Sequence, residues 1–205
     1  MYQQVIRNLR DAYNRKVVER AQRQLAPWKI EERARFFALL QQEGKQTLLE
    51  IGAGTGHDSK FFQDNGLTVT CVDLSPAMVE HCRAKGLNAH VMDFASIDFP
   101  PLSFDALYAM NCLLHVPRRD FPAILAKLYN LLKPGGIFYL GQYGGVDQEG
   151  VWEGDHYEPK RFFSRYLDDQ IQAILTQVFD LVSFNAVPID DGSEGHFQSL
   201  ILRKG

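Results

Sequence analysis

From Gln46 onward, short apolar runs alternate with amphipathic segments of helical period, and no other feature constrains the fold as much. The strand candidates are Thr47–Ile51, Thr68–Val72, Ala89–Met92, Phe104–Ala109 and Ile137–Leu140, with helical patterns around 57–65, 76–85 and 119–132 between them. Strands joined through helical crossovers pair in parallel, and the helices cover both faces of the sheet. An α/β, doubly wound, mostly parallel architecture is expected. Residues 141–165 are Gly-rich, aromatic and acidic, without clear period. A helix near 166–178 follows, then two strand-like runs, Leu181–Val187 and Phe197–Leu202, joined by the turn-rich PIDDGSEGH. So short a link implies an antiparallel hairpin at the end of the sheet.

Ahead of this body, Val5, Leu9, Tyr13, Val17, Ala21 and Leu25 recur four apart, which predicts one helix ended by Pro27. A second helical pattern carries Ile30, Ala34, Phe37 and Leu40 and stops at Gly44. The 205 residues therefore divide into an N-terminal helical cap, 1–44, and an α/β body, 45–205, of one domain. Lys+Arg 22 against Asp+Glu 25 leaves a net charge of -3, which argues against a nucleic-acid partner. No apolar run approaches the roughly twenty residues of a membrane span, and the first residues contain no apolar segment of signal-peptide type. Cys71, Cys82 and Cys112 are odd in number and lack metal-ligand spacing. A cytoplasmic, reducing setting and no metal site are expected.

The segment TLLEIGAGTGHDSKFF runs strand, glycine turn, helix, with Gly52, Gly54 and Gly56 at alternate positions. Glycine permits a tight turn and close approach of a ligand to the backbone, and the next helix points free N–H groups at that ligand. A dinucleotide fingerprint requires a third glycine where His57 or Ser59 stands, and the Gly-Lys-Ser/Thr of a phosphate loop is absent. The second strand ends in Asp73, placed to accept hydrogen bonds from both hydroxyls of a ribose. Its other role would be to cap the helix starting near Pro76, for which Ser75 is better placed.

Glu50-x-Gly-x-Gly-x-Gly56, Asp73 at the second strand end and Leu131-Leu-Lys-Pro-Gly-Gly136 before the fifth strand, taken in order, resemble the class I S-adenosylmethionine-dependent methyltransferases. The resemblance runs from about Thr47 to the C-terminus. It implies a Rossmann-like, seven-stranded sheet with an antiparallel C-terminal strand, and S-adenosylmethionine as cofactor. It assigns Glu50, Gly52, Ala53, Gly54 and Gly56 to the methionine half and Asp73 to the ribose, with Leu74 and Met78 beside the adenosine. Asp93 would accept a hydrogen bond from the adenine amino group, flanked by Met92 and Phe94, unless it is only a solvated loop residue.

Asn111, at the end of the fourth strand, completes the implied cofactor set. The Asn111-Cys-Leu-Leu sequence lacks the Pro-Pro-aromatic pattern of nucleobase amine methylation, which points to a small organic acceptor. The alternatives are a protein or RNA methyltransferase and a non-catalytic S-adenosylmethionine-binding module.

Methyl transfer by in-line displacement at the sulfonium needs alignment and desolvation above all, worth roughly 7–11 kcal/mol when the approach is well oriented. Where a base is needed, His115 is the candidate, with capping or core hydrogen bonding as its other role. Tyr13, Tyr143, Trp152 and Tyr157 are the candidate walls of the acceptor pocket. The interleaved Asp147, Glu149, Glu153, Asp155 and Glu158 allow an amine acceptor, whereas Arg161 and Arg165 favour a carboxylate or phosphate. The first helix's apolar stripe suits a lid or a dimer interface, so monomer and homodimer both stay open.

Overall fold

A computed structural model describes residues 2–189 and 195–205; residues 190–194 of the expected 188–196 turn lie outside the described residues. The body is a seven-stranded sheet in the order β3-β2-β1-β4-β5-β9-β8. Its strands are β1 (Thr47–Ile51), β2 (Thr68–Asp73), β3 (Asn88–Val91), β4 (Phe104–Met110), β5 (Leu132–Gly144), β8 (Asp180–Val187) and β9 (His196–Arg203). β1 through β5 pair in parallel, and β9 runs antiparallel to both β5 and β8. The expected architecture and its C-terminal hairpin are observed.

Successive side chains of a strand point to opposite faces, so a sheet covered on both sides needs apolar residues at every position. β1, β4 and β5 meet that requirement at most of their central positions, with Glu50 and Gln142 as buried polar exceptions. Leu48, Tyr108, Ile137 and Tyr139 face Phe36, Phe37 and Leu40 of α3 (Pro27–Gln42) and Phe62 of α4 (His57–Asp64). Leu49, Leu107, Phe138 and Leu140 face the opposite layer, built by Phe121, Leu125 and Leu128 of α6 (Phe121–Leu131) and Ile171 and Leu175 of α7 (Asp168–Leu175). α5 (Pro76–Ala84) lays Val79 and Cys82 against Cys71 and Ala89 of β2 and β3.

The N-terminal cap departs from the sequence expectation in detail. The predicted single helix over 5–25 is two, α1 (Tyr2–Asn14) and α2 (Val17–Gln22). α1 buries Val5, Ile6, Leu9 and Ala12, while α2 buries nothing fully. Pro27 does not end the first helix; it opens α3, where a missing N–H costs nothing. Ile30 is accordingly exposed, and Glu32, Phe36, Phe37 and Leu40 form the buried stripe. A further two-stranded sheet, β6 (Gln148–Val151) with β7 (Phe162–Arg165), occupies the stretch read as irregular. β6 has no apolar alternation because it is a mostly exposed edge, so nothing in its sequence marks a strand.

Candidate functional site

The strand order reverses between β1 and β4, so the loops leaving their carboxyl ends diverge and open a crevice, the usual ligand position in open α/β sheets. Gly52, Gly54 and Gly56 line up here at φ +70°, +54° and +74°. Their absent side chains serve different ends. A Cβ on Gly52 would lie 2.4 Å from Cys112 Cβ, and one on Gly56 2.7 Å from Leu87 Cδ1 and 2.9 Å from Cys82 Sγ. A Cβ on Gly54 meets only Arg20, at 3.8 Å, so this glycine is the one open to the crevice.

The N–H groups of Gly52 and Ala53 both donate to the Val72 carbonyl, at 2.9 and 3.0 Å. The Asp73 carboxylate accepts from Gly54 N–H at 2.8 Å and from Ser75 N–H at 2.9 Å. A carboxylate has about four acceptor sites, so these donors leave Asp73 capacity to accept more. Burial pushes the Asp73 carboxyl above its ordinary range. Ser75 caps α5 by accepting from Met78 N–H, so the capping role belongs to it and not to Asp73.

A cavity of about 590 Å³, counting its mouth, sits on this loop. Gly52, Gly54 and Asp73 form its base, and Leu74, Met78, Met92 and Phe94 its apolar wall. A wider cleft of about 2480 Å³ adjoins it, walled by Trp28, Tyr143, Trp152, Tyr157 and Phe163. Tyr13, Arg20, Asn111 and His115 border both spaces and so make the neck between them. Asn111 is held at φ +54°, a region that asparagine tolerates better than most residues, and both polar atoms of its side chain are buried without a hydrogen-bond partner.

Most of the anticipated residues therefore converge, with four differences. Glu50 and Ala53 border the wider cleft rather than the smaller cavity. The Glu50 carboxyl is pushed well up by burial, with the nearby Asp58 charge adding to the effect, and is hydrogen-bonded to Ser59. Gly56 borders neither space; its glycine serves helix entry and packing. Asp93 borders neither space; its Oδ1 accepts from Ala95 and Ser96 N–H and so closes its own turn.

His115 differs most from expectation. Its Nδ1 donates to the Phe162 carbonyl at 2.7 Å, which leaves Nε2 to accept from the Tyr13 hydroxyl at 2.8 Å. Burial, with Arg161 and Arg20 adding to it, lowers its pKa to about 3. Both ring nitrogens are thus engaged within the protein, and a nitrogen of that basicity is a poor proton acceptor at neutral pH. The Tyr13 oxygen also accepts from Arg161 at 3.1 Å, and Arg161 is held by the buried Asp155 through two nitrogens at 2.8 Å. This chain of contacts ties α1 to β7 across the crevice.

Arg20, Leu9 and Trp28 border the site without having been anticipated. In the sequence Arg20 is one more charge on a helical pattern, and only the approach of α2 to the glycine loop brings it inward. No group of three or more His, Cys, Asp or Glu among the described residues could hold a metal ion. No helix among them is long and apolar enough to cross a membrane.

Residues 48–136 match the family described as "Methyltransferase domain". The chain is 32% identical over 94 residues to malonyl-[acyl-carrier protein] O-methyltransferase of Serratia marcescens, covering 45% of this chain and 36% of that protein. It is 37% identical over 100 residues to ubiquinone biosynthesis O-methyltransferase of Xanthomonas oryzae pv. oryzae, covering 45% and 41%. The chain thus spans well under half the length of these curated relatives. Among solved structures, 1,6-didemethyltoxoflavin-N1-methyltransferase of Burkholderia thailandensis, with 1,6-didemethyltoxoflavin and S-adenosylhomocysteine bound, superposes with TM-score 0.75 at 21% identity. That superposition covers 99% of this chain and 88% of the other, so the cap is included in the shared fold. Strand order, glycine turn and sequence matches agree: over residues 48–136 the chain is similar to methyltransferase domains, and its fold is that of a solved methyltransferase.

Proposed function

We propose that the smaller cavity holds S-adenosylmethionine and that the protein transfers its methyl group to a small organic acceptor seated in the wider cleft. The observation that carries this is Asn111, a buried amide with neither polar atom satisfied, standing where the two spaces meet. An unpaired buried amide costs about 1–3 kcal/mol, which a bound polar ligand would offset. The rest of the donor set fits the cofactor. Gly54 leaves the backbone accessible, the remaining acceptor capacity of Asp73 suits two ribose hydroxyls, and Leu74, Met78, Met92 and Phe94 give a flat adenine its apolar wall. Hydroxyl donors would also stabilise the ionised form of Asp73, which burial alone disfavours.

When bound, S-adenosylmethionine supplies a methyl group already activated on a sulfonium. What remains for the chain is to orient the acceptor and exclude water. Tyr13 narrows the neck, and His115, locked between Tyr13 and the Phe162 carbonyl, holds it there. In this reading His115 positions Tyr13 and takes no proton, in place of the general base expected from the sequence. Asp93 and Gly56 are not carried forward as cofactor contacts, and Glu50 acts through Ser59 on the helix below the loop.

Calorimetry with S-adenosylmethionine, S-adenosylhomocysteine and NAD tests the cofactor, and binding of the first two alone is expected. Binding of NAD alone would remove the proposal. Incubation with S-adenosylmethionine and a metabolite extract should convert one small molecule into its methylated product by mass spectrometry. Methyl transfer to protein or RNA only would reassign the acceptor.

A further inference from the structure

α2 brings Arg20 to the neck without a hydrophobic anchor of its own. None of its 6 residues is fully buried, and Val18 is 69% exposed. A short helix that buries so little apolar surface is held weakly by packing. Its place rests on polar contacts instead. Arg20 donates to the Tyr157 hydroxyl at 3.2 Å, and its guanidinium stands 5.2 Å from the centre of the Tyr13 ring.

Those contacts leave the guanidinium incomplete. It has five N–H donors, and among the described residues only the Tyr157 hydroxyl takes one. No carboxylate among them forms an ion pair with it. Glu19 of the same helix is paired with Lys16 at 2.7 Å and Arg23 at 3.2 Å. Asp73 acts on Arg20 through space, while its own oxygens accept from Gly54 and Ser75 N–H. A part-buried cation is costly unless an anion meets it.

The position of Arg20 narrows what that anion is. Arg20 borders both the smaller cavity and the wider cleft, and a Cβ on Gly54 would lie 3.8 Å from its terminal nitrogen. The guanidinium thus stands over the one glycine of the loop that is open to the crevice. With adenine on the apolar wall and ribose on Asp73, the amino-acid end of the cofactor is left with the neck. A guanidinium repels the sulfonium and the ammonium of that end. Only the carboxylate is attracted, and its two oxygens match the guanidinium fork.

Resting on the cofactor reading above, we propose that Arg20 anchors the α-carboxylate of S-adenosylmethionine and that this contact fixes α2 in place. The chain leaving α2, Arg23 through Pro27, lines the wider cleft. The bound cofactor therefore steadies a wall of the acceptor cleft as well as filling its own cavity.

The test removes only the carboxylate. S-adenosylhomocysteine and its decarboxylated analogue, which keeps the amine, are titrated into the intact protein by calorimetry, and amide hydrogen exchange over residues 17–25 is followed with each. The parent is expected to bind S-adenosylhomocysteine at least about tenfold tighter than the analogue, and only S-adenosylhomocysteine should slow exchange over 17–25. Arg20→Gln should bind S-adenosylhomocysteine at least about tenfold more weakly than the parent does, bind the analogue no more weakly, and lose the protection of 17–25. Arg20→Lys should recover part of the affinity. The proposal is overturned if the parent binds both ligands equally, or if Arg20→Gln weakens neither. It is equally overturned if Arg20→Gln weakens both alike, as a merely structural role would, or if S-adenosylhomocysteine leaves exchange over 17–25 unchanged. Failure of the parent to bind S-adenosylhomocysteine at all would sink the cofactor reading itself, whereas binding that does not depend on Arg20 sinks only the carboxylate anchor.

Discussion

Alanine placed singly at Gly52, Gly54 and Gly56 should separate what each glycine does. All three sit at positive φ, so each substitution costs about 1–2 kcal/mol of backbone strain. At Gly54 little else is added, because the nearest atom to the new methyl is an Arg20 nitrogen at 3.8 Å. At Gly52 the methyl would sit 2.4 Å from Cys112 Cβ, an atom fixed to the backbone, and overpacking adds about 1–3 kcal/mol. Gly56→Ala meets Leu87 Cδ1 at 2.7 Å and Cys82 Sγ at 2.9 Å, side-chain ends that can shift further than a Cβ although both are buried, so its added cost lies below that of Gly52→Ala. Urea unfolding should therefore rank Gly52→Ala as most destabilised, then Gly56→Ala, then Gly54→Ala.

Calorimetric affinity for S-adenosylhomocysteine, measured where each variant is folded, should not follow that order. Gly54→Ala places its methyl in the cavity and should weaken binding by about tenfold or more, equivalent to about 1.4 kcal/mol. Gly56→Ala should bind nearly as the parent does. The reasoning fails if Gly54→Ala binds normally while Gly56→Ala does not, since the loop would then present a different glycine to the ligand.

Asp73→Ala removes a buried acceptor of two backbone N–H groups as well as the ribose contacts, and should lower cofactor affinity by roughly 10- to 100-fold by calorimetry; unchanged affinity would confine Asp73 to holding the loop. His115 titrates near 6.5 when unfolded and near about 3 when folded, so the unfolded state takes up a proton first as pH falls. Its stabilising effect is complete above 6.5 and is lost toward 3 at about 1.4 kcal/mol per pH unit, a slope that His115→Gln should flatten in urea titrations across that window. Asp105 is hydrogen-bonded by Thr47 and Lys133, and these donors outweigh the burial that opposes its charge and hold its carboxyl well below the usual range. Asp105→Asn should cost about 1–3 kcal/mol in urea unfolding and remove part of the stability lost in acid below the ordinary carboxylate range, with little effect on S-adenosylhomocysteine binding.

The sheet was legible because its determinants are local and periodic. The apolar runs Thr47–Ile51 and Phe104–Ala109 read as covered strands, and the glycine turn with Asp73 one strand later marked the crevice. The helical cap was legible in kind but not in boundary. The four-residue recurrence through Val17 and Ala21 looks continuous, yet the chain breaks after Asn14, whose side chain contacts Ser75 and Ala77 at the start of α5. Pro27 is equally suited to ending one helix and beginning another, and only the tertiary path chooses.

The sequence by itself determined the layer order, the glycine loop and the residue types gathered around it, since these follow from side-chain period and backbone freedom. Only the tertiary structure decided which groups share a cavity and in what protonation state. The sequence offered His115 as a base, and only the fold shows its ring buried with both nitrogens hydrogen-bonded and its pKa lowered. The sequence offered Asp93 as an adenine contact, and only the fold shows it outside the lining of both spaces with Oδ1 bonded to its own turn. The pairing of charges around the wider cleft was equally hidden, because Asp155 finds Arg161 only in three dimensions.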